Sequence, residues 1–197
     1  MRGDAAMKIT IVGAPCTGKT ILTRALTNEL CLRGYNADMV SEYVQGFLSR
    51  YIRPFKTTDL LDQVMIFRGQ QERENDLSHK DIVVCDSSTF LIYTYTLFRN
   101  FAAESERNRM VIKEMRRDTL RDLPSYTRVL YLPPVVPYRK NSYRWTTVSE
   151  NDRKGLDEKL RAFFTLENVL FSEITATDIE ERLNQSMEAI SDILPAL

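Results

Sequence analysis

The chain has 197 residues, and its 27 Lys and Arg side chains are matched by 27 Asp and Glu, so the formal net charge is zero. This balance argues against a general electrostatic grip on nucleic acid or on an anionic membrane surface. Three cysteines without CxxC or Cys/His spacing indicate neither a disulfide framework nor a zinc site, and no stretch approaches the ~20 apolar residues of a membrane span. We therefore expect a cytoplasmic protein, with residues 1–6 as a short disordered lead before a single domain over residues 7–197.

The first elements along the chain are a strand, a glycine-containing loop and a helix. Residues 8–12 are a short β-rich run, which predicts a buried strand. Residues 13–20 match the pattern G-x-x-x-x-G-K-[ST], and residues 21–30 carry apolar side chains at helical spacing. Strand, loop and helix in this order are the structural context in which the pattern binds phosphate.

The loop predicts a site for a nucleoside triphosphate, ATP in our interpretation. Successive backbone N–H groups would wrap the phosphates, and the positive end of the helix dipole would face the same anion. Lys19 would reach the β- and γ-phosphates, while the Thr20 hydroxyl would hold Mg²⁺. The predicted nucleotide-binding residues are Gly13, Ala14, Pro15, Cys16, Thr17, Gly18, Lys19, Thr20 and Ile21.

Strands and helices continue to alternate along the rest of the chain. The apolar patterns predict strands at 37–43, 81–86, 128–132 and 169–174, and helices that open at 57–59, run over 89–101, 105–121 and 149–164, and begin at 177. Such alternation predicts a parallel sheet covered by helices on both faces, with the ligand at the carboxyl ends of the strands. The expected fold class is an α/β P-loop NTPase, a three-layer α/β/α sandwich with a five-stranded parallel sheet of the nucleotide-kinase kind and a lid.

Two acidic residues end predicted strands at the edge that carries the phosphate loop. Asp86 ends an apolar strand in the Walker B manner and would hold Mg²⁺ or act as a base, although it could instead cap the next helix. Asp81, about 16 Å away at ~3.3 Å per residue, would face the opposite edge. Glu42 could accept a proton from a substrate hydroxyl, or be a solvated surface residue.

The segment from about 134 to 153 is rich in proline, arginine and aromatic residues, which is typical of a lid. A lid arginine, for which we choose Arg144, would stabilise charge on the transferring phosphoryl group and help to exclude water. Arg139 and Arg153 are further candidates. The alternative is an ordinary surface loop with solvated charges.

A pocket for the acceptor is expected between the helix that carries Gln70 and the aromatic helix after Asp86. Gln70, Tyr93 and Tyr95 would offer hydrogen bonds together with apolar ring faces, a mixture typical of ligand pockets. The alternative is that the aromatic side chains belong to the core.

Together these residues resemble an AAA-type P-loop domain, specifically the ribosylnicotinamide kinase domain of NAD-biosynthesis regulators. The shared features are the phosphate loop, the pairs Glu42-Tyr43 and Gly69-Gln70, the strand-ending Asp86 and a lid pattern over residues 137–144. The departures are Gln45-Gly46 for Arg-Glu, Ser88 for a second Asp, and Asn141-Ser142 for the Asp-Gly of the lid. These departures lie where an acceptor could bind, so the resemblance implies an ATP site and leaves the acceptor open.

We expect an ATP- and Mg²⁺-dependent kinase that phosphorylates a hydroxyl of a small molecule, with a nucleoside or ribosyl compound as the leading class. The predicted catalytic residues are Lys19, Asp86, Glu42 and Arg144, with Thr20 and Asp86 as metal ligands. The alternative is a regulatory ATPase or switch that acts through a protein partner. A homodimeric state is left open.

Overall fold

The computed structural model describes residues 6–51, 58–137 and 149–195. The strands are β1 (Met7–Gly13), β2 (Ala37–Val40), β3 (Ile82–Asp86), β4 (Tyr126–Leu132) and β5 (Ser172–Glu173). The helices are α1 (Lys19–Leu32), α2 (Tyr43–Tyr51), α3 (Leu60–Asp76), α4 (Thr89–Phe98), α5 (Glu106–Asp122), α6 (Glu150–Leu166) and α7 (Ile179–Ile190), with short 3₁₀ turns at Phe101–Ala103 and Leu123–Ser125.

The five strands form one sheet in the order β2-β3-β1-β4-β5, and every pairing is parallel. Because neighbouring strands are parallel, each connection must cross over a face of the sheet, and helices make these crossovers. The predicted fold class is therefore confirmed. β1 lies at the centre, so the loop that follows it is flanked by the carboxyl ends of β3 and β4.

Two apolar layers cover the sheet. On one face, Leu22, Leu26 and Leu30 of α1 are fully buried against Ile9 and Ile11 of β1. Burial of each such side chain stabilises the fold by about 1.5–3 kcal/mol. The other face carries an aromatic-rich layer built from α3, α4, α5 and α6. Helices on both faces hold the central strand, and with it the phosphate loop, in a fixed place.

Several element boundaries differ from the sequence-based expectation. The strand predicted over 37–43 ends at Val40, and Tyr43 instead opens α2, which the sequence analysis missed. The helix predicted to reach residue 101 ends at Phe98, because Asn100 takes a left-handed φ of 56°. β5 is reduced to Ser172–Glu173, an edge strand that pairs with β4 alone.

Within the described ranges, no helix combines the length and the apolar character needed to cross a bilayer. The cytoplasmic location stays a prediction.

Candidate active site

The phosphate loop closes on its own backbone at the carboxyl end of β1. The Lys19 ammonium donates to the carbonyl oxygens of Gly13 at 3.0 Å and Ala14 at 3.1 Å. The Thr17 hydroxyl donates to the Ala14 carbonyl at 3.0 Å. These bonds hold the lysine over the loop at the N-terminus of α1, where the helix dipole also favours an anion.

Thr20 and Asp86 meet beside this loop. The Thr20 hydroxyl donates to Asp86 Oδ2 at 2.6 Å, and Asp86 is only 1% exposed. The contact follows from sheet register, because Ile11 pairs with Asp86 across neighbouring parallel strands. Ser88, whose side chain accepts from the Leu91 N–H, caps α4. The alternative that Asp86 merely caps that helix is therefore wrong, while its role as a metal ligand stays a prediction.

The side-chain oxygens of Thr20 and Asp86 have the chemistry of a Mg²⁺ site. The ion prefers hard oxygen donors and is usually held by one or two carboxylates together with substrate phosphates and water. Over the residues that the structure describes, no group of three or more His, Cys, Asp or Glu side chains could hold a metal by itself. A site that shares its ion with a bound triphosphate does not need such a group.

The turn after Asp86 is fixed by β1. Ser87 takes a left-handed φ of 90°, a conformation that costs a non-glycine residue about 1–3 kcal/mol. Two hydrogen bonds hold it: the Ser87 N–H donates to the Ile11 carbonyl at 3.2 Å, and the Thr10 hydroxyl donates to the Ser87 carbonyl at 2.9 Å. Thr10, which is fully buried between Ile9 and Ile11 of β1, is thus a positioning residue that the sequence analysis overlooked.

Glu42 lies in the short connection between β2 and α2. Side chains of α3 form hydrogen bonds with the backbone of this connection and pack against it. The Tyr43 ring packs so closely on Gly69 that a Cβ there would lie 2.2 Å from the ring. Gln70 Oε1 accepts from the Tyr43 N–H at 3.1 Å, and Arg73 donates to the Ser41 carbonyl at 3.1 Å. The Glu-Tyr and Gly-Gln pairs noted in the sequence therefore form one packing unit, which positions the half-buried Glu42.

The structure contradicts the expected acceptor pocket for two of its three residues, Gln70 and Tyr93. Gln70 is fully buried, and its Nε2 donates to Glu74 at 3.2 Å, so its amide serves the interior. Tyr93 is 5% exposed, and its ring lies edge-on to Phe163 at 6.1 Å between centroids. These two residues belong to the core, whereas Tyr95 stays partly exposed.

A buried carboxyl group lies next to this packing unit. Glu74 is 3% exposed, accepts from the Tyr126 hydroxyl at 3.0 Å and forms an ion pair with Lys8 at 3.6 Å. Burial raises the pKa of Glu74, and Lys8 opposes that shift. The same Tyr126 hydroxyl accepts from the Thr89 N–H at 3.0 Å. Glu74 is thereby connected to the first residue of α4, directly after the turn that follows Asp86.

The predicted lid falls mostly outside the described residues, and Arg144 and Arg139 lie there. Its two flanks are described and are joined by Arg153, which belongs to α6. Arg153 is 1% exposed, donates to the Val136 carbonyl at 2.7 Å and pairs with Glu150 at 3.3 Å. Arg153 therefore closes the base of this segment, which argues against Arg153 as an alternative to Arg144 for the lid arginine.

The parallel sheet, the loop after its central strand and the adjacent acidic end of β3 define a P-loop nucleotide-binding fold. The family model described as an AAA domain matches residues 8–182, and the chain belongs to this family. No curated protein sequence matches the chain.

Solved structures share the fold at low sequence identity. A deoxyadenosine kinase from M. mycoides, with the products dCMP and a flexible dCDP bound, has a TM-score of 0.67 and 15% identity over 95% of this chain and 100% of that one. The NadR protein in complex with NR has a TM-score of 0.69 and 17% identity over 98% of this chain. A thymidylate kinase from Candida albicans has a TM-score of 0.67 and 12% identity over 95% of this chain and 92% of that one.

The chain spans only about half of NadR, covering 52% of its length. The NadR match and the family model together confirm, at the level of the fold, the resemblance drawn from the sequence motifs. At these identities the solved structures do not identify the acceptor.

Proposed function

We propose that the chain is an ATP- and Mg²⁺-dependent phosphotransferase that phosphorylates a hydroxyl group of a small molecule such as a nucleoside or a ribosyl compound. The observation that carries the proposal is the 2.6 Å contact between the Thr20 hydroxyl of the phosphate loop and the Asp86 carboxylate. It brings together the oxygen pair that phosphoryl transfer requires beside a triphosphate. Nucleoside and nucleotide kinases among proteins of this fold support the class of acceptor.

Each predicted residue has a part in this reaction. The backbone N–H groups within residues 13–21, those of every residue except Pro15, and the Lys19 ammonium would bind the phosphates, with phosphate oxygens replacing the carbonyls that Lys19 now contacts. Thr20 and Asp86 would hold Mg²⁺, which supplies charge neutralisation when bound. Arg144 would stabilise the charge that develops on the transferring group.

The transfer itself is a displacement at phosphorus. The acceptor hydroxyl oxygen forms a bond to the γ-phosphorus, the bond to the bridging oxygen breaks, and ADP leaves with the electron pair. The hydroxyl proton passes to a carboxylate, for which Glu42 and Asp86 are the candidates. Asp86 is almost fully buried and bonded to Thr20, whereas Glu42 is partly exposed, which favours Glu42 as the group that meets the acceptor.

The second candidate function is a regulatory ATPase or switch whose output is the binding of a protein partner. Ser88 favours it. This residue stands where the resembled kinase domain carries a second Asp, and its hydroxyl is engaged in capping α4. It therefore does not replace the carboxylate of the resembled domain, and the acceptor side of the site would differ from that of the resembled kinase.

ATP turnover measured with and without a panel of nucleosides and ribosyl compounds separates the two functions. We expect at least one acceptor to stimulate turnover in the wild-type protein and not in Lys19→Ala, which lacks the phosphate-binding cation. Turnover that no small acceptor changes, together with ATP-dependent capture of a protein partner, would favour the regulatory function. Retained turnover in Lys19→Ala would contradict the predicted site altogether.

A further inference from the structure

Arg182 of α7 contacts the backbone of the phosphate loop, although it lies far from that loop in the sequence. Its side chain is 4% exposed. Nη1 donates to the Thr17 carbonyl at 2.6 Å, and Nε donates to the Ala176 carbonyl at 2.6 Å. One guanidinium thus ties the connection between β5 and α7 to the centre of the phosphate loop.

The positive charge of this group has no protein counter-charge among the described residues. No described carboxylate forms an ion pair with Arg182, and its Nη2 is buried without a hydrogen-bond acceptor in that part of the chain. Burial lowers the pKa of the guanidinium, with no neighbouring carboxylate to oppose the shift. A buried cation without a counter-charge is strongly unfavourable, and a bound anion would supply the missing negative charge.

Gly18 shows how close the guanidinium lies to the loop. A Cβ at Gly18 would lie 2.6 Å from Arg182 Nη1, and the residue takes a φ of 94°. The left-handed backbone favours glycine here, and any larger side chain would have to displace the Arg182 guanidinium. Gly18 directly precedes Lys19, so Arg182 acts on the peptide units that face the phosphates.

The hydrogen bond to Thr17 sets the direction of one of these peptide units. In a trans peptide the carbonyl of one residue and the N–H of the next point to opposite sides. Because Arg182 draws the Thr17 carbonyl to the rear of the loop, the Gly18 N–H is directed to the opposite side. A phosphate seated in the loop would meet that N–H.

We propose that Arg182 is a positioning residue of the phosphate-binding loop, which orients the Gly18 N–H toward the bound anion and whose charge is balanced by the phosphates. The inference rests on the proposed binding of a nucleotide and adds a residue that the phosphate-loop pattern does not contain. The ligand class it requires is a nucleoside di- or triphosphate, because an unphosphorylated nucleoside supplies no counter-charge.

The test compares Arg182→Gln and Arg182→Lys with the wild-type protein by calorimetric titration with ADP. Arg182→Gln removes the charge, and we expect its Kd for ADP to rise about tenfold, the effect of losing one hydrogen bond to a charged group. Arg182→Lys keeps the charge and should recover part of the affinity. In steady-state assays the KM for ATP should rise more than kcat falls.

Arg128→Gln is the matched control. Arg128 donates to both carboxylate oxygens of Asp192 at 2.7 Å, so it is an arginine with its own counter-charge, contacting the residues just after α7. Its Kd for ADP should equal that of the wild-type protein.

Distinct outcomes separate this inference from the proposed function. If the wild-type protein binds ADP and Arg182→Gln binds it equally well while unfolding at lower temperature, Arg182 is only a structural bridge and the inference is overturned. If Arg182→Lys is as weak as Arg182→Gln, the counter-charge part is overturned. A wild-type protein that binds no ADP would overturn the proposed function as well.

Discussion

Replacement of Gly69 by alanine is expected to destabilise the protein, although alanine is the better helix former. A Cβ at this position in α3 would lie 2.2–2.5 Å from three atoms of the Tyr43 ring, far inside van der Waals contact. The ring must therefore move away from α3. It would also leave the guanidinium of Arg73, whose central carbon now lies 4.8 Å from the ring centroid.

The sign of the effect follows from opposing contributions. Helix propensity favours alanine over glycine by about 1 kcal/mol. Overpacking costs about 1–3 kcal/mol, and the lost cation–π contact costs about 0.5–1 kcal/mol. The free energy of unfolding should therefore fall by about 0.5–3 kcal/mol in Gly69→Ala. In a Tyr43→Ala background the ring is absent, and the same substitution should raise it by about 1 kcal/mol.

Urea unfolding followed by circular dichroism measures this reversal of sign in four proteins: wild type, the two single variants and the double variant. The slope of free energy against urea must stay constant across the set for the comparison to hold. A Gly69→Ala effect of the same sign and size in both backgrounds would refute the packing argument, because the ring of Tyr43 would then not be what excludes a side chain at Gly69.

Other substitutions test the site and its surroundings. Asp86→Asn should leave nucleotide affinity nearly unchanged and lower turnover by about two orders of magnitude or more; full turnover would remove Asp86 from the site. Arg144→Ala should lower kcat about 10²-fold with little change in the KM for ATP; Arg139→Ala is its control, and an unchanged kcat in Arg144→Ala would make this loop ordinary surface. Burial raises the pKa of Glu74 above its ordinary value of 4.5, so the folded protein holds that proton more tightly and stability should fall as pH rises from 4.5 through the folded-state pKa. Glu74→Gln should flatten this part of the unfolding profile, whereas a profile like that of the wild type would exclude Glu74 as its source.

The fold could be predicted from the sequence because local patterns and the global architecture agree. Apolar runs separated by helical periods specify a parallel sheet with crossovers, and this sheet is found. One exception is α2, for which the sequence predicts no helix and whose first residue, Tyr43, is predicted as the end of a strand. Its start is determined by α3, since Gln70 accepts the Tyr43 N–H and Arg73 holds the Ser41 carbonyl. No pattern within residues 37–43 contains that information.

Part of the candidate site could likewise be predicted from the sequence, and part could not. The contact of Thr20 with Asp86 follows from a short motif and from the rule that parallel strands end at one edge, so the sequence predicts it. Arg182 lies 165 residues from the carbonyl that it holds, and only the folded chain brings the two together. Gln70 is predicted in a pocket because of its position near the ligand edge of the sheet and the hydrogen bonds that it offers, whereas the structure uses its amide for hydrogen bonds inside the protein.

The most direct test of the central claim is mass spectrometry of reaction mixtures that contain the protein, ATP, Mg²⁺ and a mixture of nucleosides and ribosyl compounds. We predict that one of these compounds gains a phosphoryl group in the presence of the wild-type protein, while Asp86→Asn yields orders of magnitude less product. Consumption of ATP without any phosphorylated acceptor, at a rate that the mixture does not change, would contradict the assignment as a small-molecule kinase.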